Sequence, residues 1–166
     1  MSLKDLILLA EDVERLTGAL GRLCEEAKGR AAFLVDPNGR LLADSGGAAN
    51  LDTTALASLV AGSMAATGSL AQLLGERGFS GLFLEGVRTH LYLAVVEEGA
   101  ILVVVFDGSS SLGLVRFRVK RAIDEVGRIL ADFAVRDQSG KGPGSARVAT
   151  ELAEITDEEI DNLLSS

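Results

Sequence analysis

The sequence predicts an α+β fold, an α/β/α sandwich in which a five-stranded antiparallel sheet carries helices on both faces. The predicted order is α-β-β-α-β-β-β-α, with one more helix appended at the C-terminus. Three observations predict it. Segments with helical apolar spacing alternate with short runs rich in β-branched residues. The strand candidates are joined by turn-length sequences, DPNG and EEG, where parallel strands would need long crossovers. And ILVVVF, residues 101–106, is continuously apolar, the pattern of a central strand covered on both sides.

The first helix is expected over residues 12–28, where Val13, Leu16, Leu20, Leu23 and Ala27 recur in steps of three and four. Gly29 is placed to close it. AAFLVDPNGRLLAD then reads as two strands around a turn, with Pro37 presetting one position and Asn38-Gly39 accepting positive φ. Asn50 or Asp52 can cap the next helix. GLFLEGV, HLYLAVVE and AILVVVFD supply three further strands, the last two joined by a tight hairpin at Glu97-Glu98-Gly99. From Leu112 a long helix carries Val115, Val119, Ile123, Val126, Ile129, Leu130 and Phe133 on one face to about Arg136. The domain is thus 1–136, followed by a Gly/Ser-rich linker at 137–150 and an amphipathic docking helix at 151–166.

That last segment has a formed helix start. Thr156 and Glu159 match a capping box, and Ile155 with Ile160 matches a hydrophobic staple. Ile160, Leu163 and Leu164 share one side and acids the other, which suits docking on a partner and folding back on the same domain equally.

Residues 53–75, TTALASLVAGSMAATGSLAQLLG, run for 23 positions without a charge. The length would cross a bilayer, but ten residues are Thr, Ser, Gly or Gln and add little to insertion. As a helix, it is expected to pack Leu59, Val60, Ser63, Ala66, Thr67, Leu70, Leu73 and Leu74 on the sheet. The other side, Ser58, Ala61, Gly62, Ala65, Gly68, Ser69 and Gln72, is small and uncharged where a surface helix would carry Lys and Glu. Small residues let another backbone come close, so this side is expected to be an interface, with Ala65 and Ser69 near its centre.

A formal net charge of −8 argues against nucleic acid and against an anionic membrane surface. One cysteine, Cys24, leaves no disulfide framework, and the apolar stretch near the start is too short for a secretion signal, so a cytoplasmic protein is expected. Catalytic chemistry is sparse. His90 is the one histidine and has no second for a metal pair. SGKGPGS lacks phosphate-loop spacing, and the acids of TDEEIDN lack that of a calcium loop. No catalytic, cofactor or metal residue is assigned. The basic run RFRVKR, 116–121, reads as a solvated helix side with Asp124 and Glu125 near enough to pair.

FLVDPNGRLLADSG, LDTTALASLVAGSMAATGSLAQLLGE, LVVVFDGSSSLGLVRFRVKRA and EITDEEIDNLL together resemble the roadblock/dynein light chain family, over most of the chain. The resemblance is to its bacterial members that regulate cell polarity and motility. It implies a homodimer, two copies of which hold one small Ras-like GTPase and stimulate GTP hydrolysis by repositioning its switch regions, with no enzyme chemistry of its own. It implies a location in the cytoplasm, concentrated at a cell pole. On this resemblance Ser58, Ala61, Gly62, Ala65, Ser69 and Gln72 form the platform for GTPase and dimer. Ile155, Ile160, Leu163 and Leu164 anchor a second contact. Arg77 and Arg88 are the candidates for an arginine supplied in trans, should the mechanism need one. The family also contains scaffolds that hold a GTPase without activating it.

Overall fold

The computed structural model describes residues 10–138. The elements are α1 (Ala10–Glu26), β1 (Ala31–Val35), β2 (Leu41–Gly46), α2 (Thr53–Leu73), β3 (Gly81–Leu84), β4 (His90–Val95), β5 (Ile101–Phe106) and α3 (Leu112–Gln138). This is the predicted order. α3 runs two residues into the predicted linker; the rest of that linker and the appended helix lie outside the described residues.

The strands form one antiparallel sheet in the order β2-β1-β5-β4-β3. All six residues of β5 are buried, as its unbroken apolar run requires of a strand at the centre. Its register sets both neighbours: Phe33 lies opposite Val103 on one side, and Leu93 opposite Val103 on the other. Alternation along the strands then sorts side chains into two cores. Ala32, Leu34, Ala94, Leu102, Val104 and Phe106 face α1 and α3. Phe33, Val35, Leu93, Ile101, Val103 and Val105 face α2.

The turns follow from specific side chains. Asp36 is buried between β1 and β2, and its Oδ1 accepts from the backbone N–H of Asn38 and Arg40, both at 2.9 Å. Gly39, at φ +88°, lies against α2: a Cβ there would stand 3.0 Å from the Cα of Ser58. Asp52 is the cap of α2, accepting from the N–H of Ala55 at 3.1 Å.

The end of α1 differs from the sequence expectation. The left-handed residue is Lys28, at φ 53°, not Gly29. The N–H of Gly29 bonds the carbonyl of Cys24 at 2.8 Å and that of Lys28 bonds Glu25 at 3.2 Å, the paired bonds of a Schellman ending. Gly29 is needed for a different reason: a Cβ on it would meet Val104 Cγ1 at 3.2 Å. The Ser110 hydroxyl donates to the carbonyl of Ala27, so the loop before α3 ties down the same helix end.

α1 and α3 lie side by side and are laced by ion pairs between them: Asp12–Arg136, Arg15–Asp132, Arg22–Glu125 and Glu26–Arg118. Glu125 thus pairs across to α1, in place of the pairing within its own helix that the sequence predicts. The order of partners is reversed along the two helices, so they run antiparallel. Three of these pairs are exposed at both ends or nearly so and contribute little. Asp12 is different, with its side chain only 1% accessible. Removing a partner from it strands a buried charge.

Three outcomes are expected in urea unfolding followed by circular dichroism. Lys28→Gly relieves the left-handed strain and raises stability by about 1 kcal/mol with an unchanged slope. Arg136→Met lowers stability by about 3 kcal/mol, because it uncovers the buried carboxylate of Asp12. The same change at Arg22, whose pair is solvent-exposed, costs less than about 1 kcal/mol.

Candidate partner-binding surface

α2 carries no charge over its whole length. Three of its hydroxyls are turned back on the helix: Ser63 donates to the carbonyl of Leu59 at 2.9 Å, Thr67 to that of Ser63 at 2.8 Å, and Ser69 to that of Ala65 at 3.3 Å. Such back-bonding satisfies the hydroxyl without solvent and leaves a surface of methyls, methylenes and backbone.

The face packed on the sheet is not the predicted one. Ala57, Val60 and Ala71 are buried there, with Leu56, Ala61 and Met64 half-buried beside them. Leu59 is 70% exposed and Leu73 is 86% exposed, and Leu70 and Leu74 also face outward. Relative to the expectation, the helix is turned by roughly 100°, one residue's step about its axis. The reason is the thickness of the layer beneath. Phe33, Leu93, Ile101 and Val103 already fill the sheet face, and the Gly39 turn presses on the backbone at Ser58. Ala57, Val60 and Ala71 fill that gap with Leu56 and Met64 at its margins, and Leu59, Leu70 and Leu73 stay outside it.

Of the predicted platform residues, Ser58, Gly62, Ala65, Ser69 and Gln72 are exposed. Ala61 is half-buried and packs into the α2-side core, so it is chiefly a packing residue. Ala65 also borders a shallow groove of about 330 Å³ with Ala61, Met64, Gly68, Phe79 and Val95. Leu59, Leu70 and Leu73, expected inward from the sequence, therefore belong to the outer surface. Their signal is present in the sequence as leucines sharing one side of the helix, but side-chain size alone does not decide burial. Ile155, Ile160, Leu163 and Leu164 lie outside the described residues.

By length and composition Thr53–Leu73 could also cross a membrane, the one such helix among the described residues. Its packing weighs against that use, since a helix seated along one face on a sheet is not surrounded by lipid. An exposed apolar helix face on a folded domain is the kind of surface found at interaction sites.

The remaining candidates take structural places. The backbone N–H of Gly86 donates to His90 Nδ1 at 3.2 Å, and the ring packs between Phe83 and Phe106, with centroids at 6.0 and 5.3 Å. The Cys24 thiol donates to the carbonyl of Gly29 at 3.1 Å, and burial followed by the neighbouring Glu25 charge pushes its pKa up, which keeps it protonated and unreactive. Arg77 and Arg88 are both exposed, one after α2 and one in the β3–β4 turn. Among the described residues no group of three or more His, Cys, Asp and Glu is arranged to hold a metal.

The turned helix makes a direct comparison possible. Ala65→Arg with Ser69→Arg should leave the far-ultraviolet spectrum and unfolding midpoint close to wild type, because both side chains project outward. Ala71→Arg should cost more than about 3 kcal/mol by placing an unpaired charge under the helix. If the two variants were equally destabilised, the outward face would be part of the core.

The Roadblock/LC7 domain model matches residues 19–106. No curated protein matches the chain by sequence. Among solved structures, Myxococcus xanthus MglB superposes with a TM-score of 0.72 at 43% identity, over 77% of this chain and 96% of that one. The gliding protein MglB of Thermus thermophilus gives 0.72 at 37% identity, over 77% and 97%. An MglB described with a tetrameric arrangement gives 0.73 at 36%, over 78% and 97%. With more than half its length matched by the family model and these likenesses beside it, the chain belongs to the Roadblock/LC7 domain family.

Proposed function

We propose that this protein is a homodimeric, MglB-like activator of a small Ras-like GTPase of the MglA kind. It binds the GTPase in its GTP state, two copies to one GTPase, and stimulates hydrolysis by repositioning the switch regions. Its setting is the control of bacterial cell polarity and motility, in the cytoplasm and concentrated at a pole.

The observation that carries this reading is the outer face of α2. It is uncharged along its length, exposes Leu59, Leu70 and Leu73, and stands on a chain 43% identical to Myxococcus xanthus MglB. Self-association has its own support. β3 is an edge strand with an unpaired side, and Leu82 and Leu91 at that end of the sheet are only half-buried on the α2 side. An open edge beside incompletely covered leucines suits pairing with a second copy. The tetrameric arrangement described for one MglB relative is in keeping with assembly.

The proposed mechanism supplies no residue in trans. A face made of Leu59, Ser69, Leu73 and the small residues between them offers shape and no charge, which suits holding another protein's groups in place. The GTPase's own residues then stabilise the transferring phosphoryl group.

The test is GTP turnover by the companion GTPase, alone and with excess of this protein. Strong stimulation is expected in wild type and in the Arg77→Ala and Arg88→Ala variants. It should fall to the intrinsic rate in the Ala65→Arg/Ser69→Arg variant, because bulk and an uncompensated charge at a closed interface cost about 3 kcal/mol or more. Loss of stimulation in either arginine variant, with binding retained, would replace positioning with an arginine supplied in trans. A stable GTP-dependent complex without stimulation would make the protein a scaffold or effector.

A further inference from the structure

α3 has an outer face that neither the fold nor the proposed GTPase contact uses. Along the side opposite its buried residues run Phe117, Lys120, Arg121, Asp124, Arg128 and Val135. Phe117 is 55% exposed and lies under two guanidinium groups, those of Arg118 at 5.5 Å and Arg121 at 5.7 Å. Val135 is exposed further along the same line. Between them, Ile123, Asp124, Gly127, Arg128 and Ala131 border, together with Glu97, a shallow cavity of about 280 Å³. The strip is apolar at both ends and mainly basic between, with Asp124 on the helix and Glu97 across the cavity as its acids, on a chain whose formal net charge is −8.

The chain contains a segment of the complementary kind. Residues 151–166 carry six acids (Glu151, Glu154, Asp157, Glu158, Glu159 and Asp161) and no base, together with Ile155, Ile160, Leu163 and Leu164. α3 ends at Gln138, so the twelve residues 139–150 join the strip to this segment. Twelve residues reach about 40 Å when extended, ample for a reversal of direction. Phe117 to Val135 spans about 27 Å of helix, and a ten-residue helix starting after the Thr156 cap would cover about 15 Å of it. The charges match, and the join is long enough for the two to run antiparallel.

We propose that in the free protein the C-terminal segment 151–166 docks on the outer face of α3 of its own chain. Leu163 and Leu164 lie against Phe117 with Ile160 beside them, and the acids lie against Lys120, Arg121 and Arg128. α3 thereby holds the segment that the family resemblance assigns to a second contact with the GTPase, and release from α3 precedes that contact.

The test needs no GTPase, so its outcome is separate from that of the functional proposal. Ser165→Cys in the full chain is spin-labelled; the buried Cys24 thiol stays unreacted, as one label per chain by mass confirms. Amide signals of Phe117, Arg121, Arg128 and Ala131 are expected to be lost to paramagnetic broadening. They should return at about 0.5 M salt, where the Debye length falls to roughly 4 Å. They should return also in Arg121→Glu/Arg128→Glu, and be lost again when Asp157→Arg/Asp161→Arg is added. A mixture of isotope-labelled unmodified chain with unlabelled spin-labelled chain should show no broadening on α3. Broadening in that mixture would assign the strip to the tail of a second copy. Broadening on α2 alone, or none beyond residue 138, would equally overturn the proposal.

Discussion

The rest of the structure depends on the double coverage of β5. Six consecutive apolar residues at the centre of the sheet present side chains to both faces, and each face must be kept from water. One domain of this length has three helices for the purpose, and two of them, α1 and α3, lie on the same side. The other side has α2 alone. Among the described residues, that imbalance leaves Leu82 and Leu91 half-buried and Leu84 exposed at the β3 end of the sheet.

The two helical layers handle their outer surfaces in opposite ways. α1 and α3 meet each other edge to edge, so their flanks are laced by acid–arginine pairs and their outer sides are charged. No described helix flanks α2. Its small residues meet the sheet, and its leucines other than the half-buried Leu56 face outward. A domain closing on itself would place those leucines inward and charges outward. In the proposed complex, association would remove these leucines from water, each full burial being worth about 2 kcal/mol.

Much of this was legible from residue order alone. β5 was readable from its unbroken apolar run, the β1–β2 turn from DPNG, and the start of α2 from Asp52, because each feature is set by local chemistry. The choice between Lys28 and Gly29 was not. Both a left-handed position and a close approach to Val104 call for glycine, and only the three-dimensional packing shows which demand the single glycine meets. The rotation of α2 was hidden for a similar reason. Burial of alanine in place of leucine is decided by the distance between helix and sheet, which Phe33, Ile101 and the Gly39 turn set from elsewhere in the chain. The absence of charge set this helix apart from an ordinary surface helix, while the identity of the outward side needed the sheet.

The same geometry constrains how such a surface can act on a partner. Stabilising charge that develops on a transferring phosphoryl group requires donors or cations held close to it. The outer face of α2 carries no cation, and the hydroxyls of Ser63, Thr67 and Ser69 are already bonded to carbonyls one turn back, which leaves the neutral Ser58 hydroxyl and Gln72 amide as side-chain donors there. What it offers is a rigid outline fixed by a capped helix on a fully packed sheet. A rigid outline can favour one arrangement of a mobile loop over another, and the effect on rate is then bounded by how rarely the loop adopts that arrangement unaided. Any acceleration through this face is thus a population shift in the partner, with the chemistry left to the partner's own groups.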